Sequence, residues 1–410
     1  MKSLRERRRR QPRVWLIVLC CLLLVGAGAA TYYYLGQSRT ASPSSGIVRS
    51  TTIEKPAQPV SVTSDLLATG NSFWGRYTND WAMASPEKYA YPFSRLEELQ
   101  RDQYDAWISG LECPMAAAIT MTSAEMEQNL QFNCSSKYLS EAAKWYTVFT
   151  LANNHTDNQG VAGFKETQTH LDEHGIQYFG HYDPTRLDDA CDVIAMPVTV
   201  TYDNKTSKKA HLPMAFCGYH GVFQIPPAEA VAQETPYSKY MPVIAMPHMG
   251  SEYTPAPDQI KTDFYHSLID AGADVVLGDH PHWIQSTESY KGHLIVYSMG
   301  NFMFDQQDTL EVTRSAAIHM KLSLTASKNP QLANWLKLGD SCKAYHDSCL
   351  SQVKQAGLQK LDATYQFGAV GTRDDGHRTH LADAADTASI LQRLQWNQTM
   401  SQLHSPYASL

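Results

Sequence analysis

From Asp65 onward, short apolar runs alternate with helix-length amphipathic segments, and that alternation directs the chain to an α/β architecture. The runs fall at residues 66–69, 106–109, 148–151, 214–217, 243–246, 274–277 and 294–298. Each is four or five residues long, the length of a buried strand rather than a helix. Residues 93–101, 163–173 and 259–271 place apolar side chains on one helical face, and Gly175 and Gly272 stand where helix C-caps are expected. A further strand is expected at 314–323, and the hydrophobic fraction of 43 % over 410 residues is ample for a large core.

The chemistry lies just beyond the apolar runs. Ala152-Asn153-Asn154-His155, Pro247-His248-Met249-Gly250-Ser251-Glu252 and Gly278-Asp279-His280-Pro281-His282 each come directly after one of them. In open α/β sheets, ligand sites form outside the carboxyl ends of strands. Amides, imidazoles and carboxylates delivered there suit divalent metals, and a binuclear site is the expectation. The Gly70-Asn71 turn occupies an equivalent position. Each motif alone also has an ordinary reading: Asn153 to His155 as a turn cap, His280-Pro281-His282 as a solvated loop.

The ends of the chain differ from its middle. Seven basic residues and one glutamate fill positions 1–13, and an apolar stretch runs over 14–35, closing on Tyr32, Tyr33 and Tyr34. Its length and its tyrosines favour a retained transmembrane anchor, with the N-terminus cytoplasmic by the positive-inside rule. The small residues at 26–30 keep a cleaved signal peptide open. Either reading exports the remainder, so the expected location is the cell membrane, single-pass, with the main domain outside the cytoplasm. Of 34 basic and 41 acidic residues, seven and one lie in the first thirteen, so the remainder carries a net charge of −13, which argues against nucleic acid as a partner.

Residues 36–62 read as a flexible linker, 63–326 as the main domain and 327–410 as a mainly helical extension with a polar loop over 368–380. Six cysteines lie in the exported part, where disulfides persist; Cys342 and Cys349 could close a short local loop, while the full pairing stays open. The segment 182–235, with His211 and His220, is a candidate substrate-facing insertion.

Taken in order, Tyr91-Pro92-Phe93, Gly110-Leu111-Glu112-Cys113-Pro114, Ala152-Asn153-Asn154-His155, His248-Met249-Gly250-Ser251-Glu252-Tyr253, Gly278-Asp279-His280-Pro281-His282 and Tyr297-Ser298-Met299-Gly300-Asn301-Phe302 resemble the motif series of the CapA capsule-synthesis family. The resemblance implies a calcineurin-like metallophosphatase fold, a two-sheet sandwich flanked by helices with two metals at one end. It implies Glu112 as bridging carboxylate; Asn154, His248 and His280 as ligands of one metal; Asn71 and His282 as ligands of the other; and His155 as a general acid. Asn153, Glu252, Asp279 and Asn301 would support them. Mn²⁺, Fe²⁺ or Zn²⁺ would be the ions. Partners would be membrane subunits of a polymer synthetase and an anionic polymer such as poly-γ-glutamate, or a phosphate-containing substrate.

The departures from that pattern concern charge. Gly70-Asn71 replaces Gly-Asp, Gly110 replaces the asparagine of Asn-Leu-Glu, Asn158 replaces an aspartate, and Asp279 stands where histidine is common. Fewer carboxylates at positions 71 and 158 lower the expected metal affinity unless Asp279 points inward. Three functions are consistent with these residues: a membrane-anchored component of surface-polymer assembly, an extracytoplasmic metal-dependent phosphoesterase, and a non-catalytic scaffold with a degenerate site.

Overall fold

The computed structural model describes residues 56–410. The expected basic segment, the anchor and most of the linker lie outside the described residues; among the described ones, no helix is long and apolar enough to cross a membrane. Fifteen strands follow in chain order: β1 Pro59–Ser72, β2 Ala106–Leu111, β3 Val148–Thr150, β4 Gln177–Phe179, β5 Cys191–Tyr202, β6 Ser207–His220, β7 Val243–His248, β8 Val275–Leu277, β9 Thr287–Tyr290, β10 His293–Val296, β11 Asn301–Met303, β12 Arg314–Thr325, β13 Thr364–Arg373, β14 His380–Leu381 and β15 Tyr407–Ser409. All eight expected runs lie on or overlap these strands. The linker expected to reach residue 62 stops earlier, because Pro59–Thr63 already pairs with β5.

β1 is the hinge of the architecture. Its first half is flanked by antiparallel β12 and β5, and its second half runs parallel to β2. From β1 one branch continues through β5, β6, β7, β8, β10 and β9, and another through β2, β3 and β4. Where two separate sheets were expected, hydrogen bonding is continuous through this one strand. The fold class is mixed α/β, and β2, β3, β7 and β8 all sit in parallel pairings whose carboxyl ends lie near one another.

Side-chain alternation along these strands builds two cores. Leu66, Ala68, Ala106 and Ile108 join the core that also holds β5 to β8. Leu67, Trp107 and Phe149 join an aromatic core with Phe73, Trp74, Phe302 and Phe304. Successive residues of a strand point to opposite faces, so strands buried on both faces read as unbroken apolar runs. Burying one such side chain is worth about 1.5–3 kcal/mol.

Three local expectations are corrected. Residues 93–101 form short 3₁₀ turns rather than an α-helix: Pro92 interrupts the first, Gln100 takes a left-handed conformation, and Phe93, Leu96 and Leu99 bury at a spacing of three. Residues 368–373, expected as loop, belong to β13, which zips along β12 from Arg314↔Arg373 to Ser323↔Thr364. The segment 182–235 is not a separate insertion: about half of it is β5 and β6, paired from Cys191↔Cys217 to Thr201↔Ser207, with His211 bonded to Asp340 at 2.7 Å, although Val222 and Phe223 do lie at the cleft beside the strand ends. Disulfides join Cys113 to Cys134, Cys191 to Cys217 and Cys342 to Cys349.

Candidate metal centre

The polar runs meet because their strands are neighbours. Asn71 is the next-to-last residue of β1, Glu112 follows β2, Asn153 to His155 follow β3, His248 ends β7, and Asp279 to His282 follow β8. Glycine permits the closest approach. A Cβ on Gly70 would sit 1.8 Å from the Gly300 carbonyl oxygen, so only glycine lets the end of β1 seat against the segment leading into β11. Arg76, Tyr253, His280 and His282 all adopt positive φ (41°, 54°, 97° and 59°), conformations that cost non-glycine residues roughly 1–3 kcal/mol. Such strain gathers where geometry is held for a purpose.

Around His248 the contacts cannot all be satisfied at once. Its Nε2 lies 2.8 Å from Asn154 Oδ1, 3.2 Å from Asn153 Nδ2 and 3.2 Å from His280 Nδ1. A single imidazole nitrogen either donates or accepts one hydrogen bond. Donor atoms about 3 Å apart and turned on one point are the arrangement that a cation with bonds near 2 Å gathers. Burial pushes the pKa of both His248 and His280 well below the imidazole range, so both rings are neutral and available as ligands.

The second group surrounds Glu112. His282 donates from Nδ1 to Asn301 Oδ1 at 2.8 Å, which leaves Nε2 bare, 3.9 Å from Glu112 Oε1 and 3.8 Å from Glu252 Oε1. Asn301 therefore orients His282, and its own Nδ2 donates to Gln306 and Val312. Burial holds His282 near a pKa of about 4. Glu112 is fully buried; burial first, then repulsion from Asp279 and Glu252, raise its carboxyl well above the usual range. Asp279 is likewise raised well above it by burial, which the nearby His280 N–H only partly offsets.

Both oxygens of Glu112, both oxygens of Asp279 and both side-chain polar atoms of Asn71 lack a hydrogen-bond partner of ordinary geometry. Buried polar groups in native proteins are nearly always paired, and an uncompensated buried carboxylate costs several kcal/mol. Two such carboxylates, facing neutral imidazoles and amide oxygens, are the donor set of a divalent cation site, and the residues present fit one. The donors are spread over two groups. Among the described residues, only Asp192, His346 and Asp347 bring three imidazole or carboxylate donor atoms within 4.8 Å of one another, and they lie elsewhere.

Above the centre opens a cleft of about 490 Å³ lined by Arg76, Glu112, Asn154, His155, Glu252, Tyr253 and His282 among others. His155 donates from Nδ1 to Asn158 Oδ1 at 2.9 Å, and its ring stacks on Phe132 at 3.7 Å. Burial takes its pKa down to about 4. Asn158 also accepts from the Phe132 N–H at 2.8 Å, so its observed role is to orient His155. The expected site residues thus come together, with Glu252 and His155 toward the cleft and Asn301 behind His282.

Arg76 is the residue that strand-end reasoning missed. Its Nε and Nη2 clamp Asp305 at 2.9 and 2.6 Å, and its guanidinium lies over Phe132 at 4.4 Å. Asp374, from the loop after β13, accepts from the Phe304 N–H at 2.7 Å beside this pair. The signal was a Gly75-Arg76 pair following Phe73-Trp74 after β1, but its acidic partner lies 229 residues away.

The family model described as bacterial capsule synthesis protein PGA_cap matches residues 65–216 and 222–306. The "PGA biosynthesis protein CapA" of Bacillus subtilis (strain 168) is 29 % identical over 266 residues, covering 62 % of this chain and 66 % of that protein. The "Capsule biosynthesis protein CapA" of Bacillus anthracis is 30 % identical over 183 residues, covering 39 % and 41 %. The matched segments thus span less than two thirds of these relatives. Among solved structures, one described as a novel phosphatase from Mycoplasma pneumoniae aligns with a TM-score of 0.36 at 12 % identity, over 77 % of this chain and 96 % of that one. A Thermus thermophilus protein aligns with a TM-score of 0.34 at 13 % identity, over 62 % and 93 %.

Proposed function

This chain belongs to the bacterial capsule synthesis protein PGA_cap family, and from that premise we propose that it is a membrane-anchored component of surface-polymer assembly with a divalent-metal centre in its exported domain. The polymer class is an anionic one such as poly-γ-glutamate, the partners are membrane subunits of its synthetase, and the domain adopts a calcineurin-like metallophosphatase arrangement. The observation that carries the metal centre is the convergence of Glu112, Asp279 and Asn71, buried and unpaired, beside His248, His280 and His282. Asn154, His248 and His280 would hold one ion, Asn71 and His282 the other, with Glu112 between them. Mn²⁺, Fe²⁺ and Zn²⁺ all suit this mixture of imidazole, amide and carboxylate.

When bound, such ions supply Lewis acidity to a substrate oxygen and lower the pKa of water. The rest is the work of the chain. His155 is neutral in the free cleft, with its Nδ1 proton committed to Asn158 and Nε2 left to face incoming groups. An anionic substrate beside Nε2 would raise that pKa and let the ring hold, then deliver, a proton to a leaving atom. Arg76, fixed by Asp305, lends positive potential to the same cleft. The Phe132 stack keeps His155 in one orientation and shields it from water.

A deletion strain should lose its surface polymer and regain it with the wild-type gene but not with Glu112→Gln; a normal polymer layer in the deletion strain rules the role out. A second reading, a metal-dependent phosphoesterase, is favoured by the placement of His155 and Arg76 around one cleft. It requires turnover of a generic phosphodiester with Mn²⁺ that His155→Ala abolishes. Absence of bound metal in the purified chain would instead leave the scaffold reading.

A further inference from the structure

We propose that Asp279 is itself a metal ligand of this centre, seated in the space that Gly110 leaves open, and that it supplies the negative charge missing at position 71. The inference rests on the metal-centre reading above and goes beyond it, because the family pattern puts a histidine at this position and a carboxylate at 71.

The geometry begins with the strand register. Asn71 pairs with Gly110 across β1 and β2, so the two residues sit side by side at the floor of the site. Gly110 presents no side chain there. A Cβ on it would lie 3.5 Å from Asp279 Oδ2 and 3.7 Å from Asn71 Oδ1, and both oxygens therefore converge on the same small space. An asparagine at 110, usual in the family motif, would project into that space and compete with Asp279 for it. The glycine and the aspartate are in this sense one change made at two positions.

Asp279 is held firmly enough to act as a ligand. Its N–H donates to the Pro247 carbonyl at 3.0 Å, and its carbonyl accepts from Met249 at 3.3 Å, so it forms a bridge beside His248 like one more strand residue. His280 and His282 follow on the same loop. The residue is 5 % exposed, and neither oxygen makes a hydrogen bond of ordinary geometry, although the His280 N–H stands nearby. Lys261 is the competing explanation, a buried ammonium for which Asp279 would serve as a distant counter-charge. Its Nζ, however, donates to Gln285 Oε1 at 3.0 Å and makes no hydrogen bond to either Asp279 oxygen. The aspartate is thus left facing Asn71 and Glu112, and the site regains one of the two carboxylates that the asparagines at 71 and 158 removed.

The test is metal binding by the purified full-length chain, read by elemental analysis after dialysis against Mn²⁺ and by calorimetric titration with Mn²⁺. The wild-type chain should hold two ions. Asp279→Asn should hold one, or bind the second at least about tenfold more weakly, as ligand charge count sets affinity. Asn71→Asp combined with Asp279→Asn should restore the second ion, since the charge returns from the neighbouring strand. Melting in EDTA checks folding independently: Asp279→Asn should melt no lower than wild type, because it removes an unpaired buried charge. Two ions at wild-type affinity in Asp279→Asn would overturn the inference while leaving the metal centre intact. A variant that loses metal but is not rescued by Asn71→Asp would assign Asp279 to Lys261 instead, and a wild-type chain that binds no metal would overturn both readings.

Discussion

The Arg76 cluster and the candidate metal centre border the same cleft, are both buried and are both built around carboxylates, yet they are finished differently. In the first, Asp305 accepts two bonds from Arg76 and one from the Tyr77 N–H, and Asp374 accepts from Phe304. In the second, Glu112, Asp279 and Asn71 accept none of ordinary geometry. In the same low dielectric the paired cluster is satisfied, whereas the second is still owed a positive partner. Burial alone would not have distinguished them. Burial raises the Asp305 carboxyl in spite of Arg76, so even the satisfied acid registers the cost of its surroundings.

The contrast breaks most visibly under substitution. Arg76→Ala strands Asp305 in a dry pocket and should cost about 3–5 kcal/mol in urea unfolding. Glu112→Gln, measured beside it in EDTA, should cost nothing or gain stability, since it deletes a charge that had no partner. Equal losses in both variants would erase the distinction.

Acidity separates the two regions next. Asp374 is pushed up to about 7 by burial, from an ordinary 3.8. A carboxyl raised on folding contributes its full stability below the unfolded pKa and loses it as pH climbs through the folded one. Wild-type protein in EDTA should therefore weaken between about pH 4 and 7 more than Asp374→Asn does. About three units at roughly 1.4 kcal/mol each sets a ceiling near 4 kcal/mol for that difference. Asparagine still accepts from the Phe304 N–H, so identical pH profiles would contradict the assignment of this acid.

Metal itself should act on one region only. At about one hundred times its dissociation constant, a bound ion stabilises the folded chain by about 2.7 kcal/mol. Thermal melts with Mn²⁺ should rise for the wild type and for Asp374→Asn, and fail to rise for His248→Ala. The smallest effect concerns the cleft wall. Asn158→Asp should raise the His155 pKa from about 4 by roughly 1–3 units through the new adjacent charge, visible in an NMR titration of the imidazole. An unmoved His155 resonance would mean that residue 158 does not orient it.

Legibility in the sequence depended on whether the information was local. Every expected apolar run became a strand or part of one, because a strand buried on both faces writes an unbroken signal into four consecutive residues. The polar runs were legible for the same reason: Asn153, His248 and His280 interrupt that signal shortly after β3, in the last residue of β7 and shortly after β8. β13 reads as loop in part, since Gly368 and Gly371 speak locally for a turn, whereas pairing with β12 decides the matter from 41 or more residues away. The 3₁₀ turns over 88–103 read in part as a helix because apolar spacings of three and four look alike in a short window.

The sequence by itself determined the family, the α/β class and the set of strand ends at which polar residues would gather. The tertiary structure decided which of those residues are partnered. Asp305 meets Arg76 across 229 positions and is quiet. Asp279 comes to rest above Gly110, against Asn71, with no hydrogen bond of ordinary geometry to either oxygen. A carboxylate's meaning in a protein interior depends on whether a positive partner reaches it, and that is set by how distant strands pack rather than by the residues beside it in the chain.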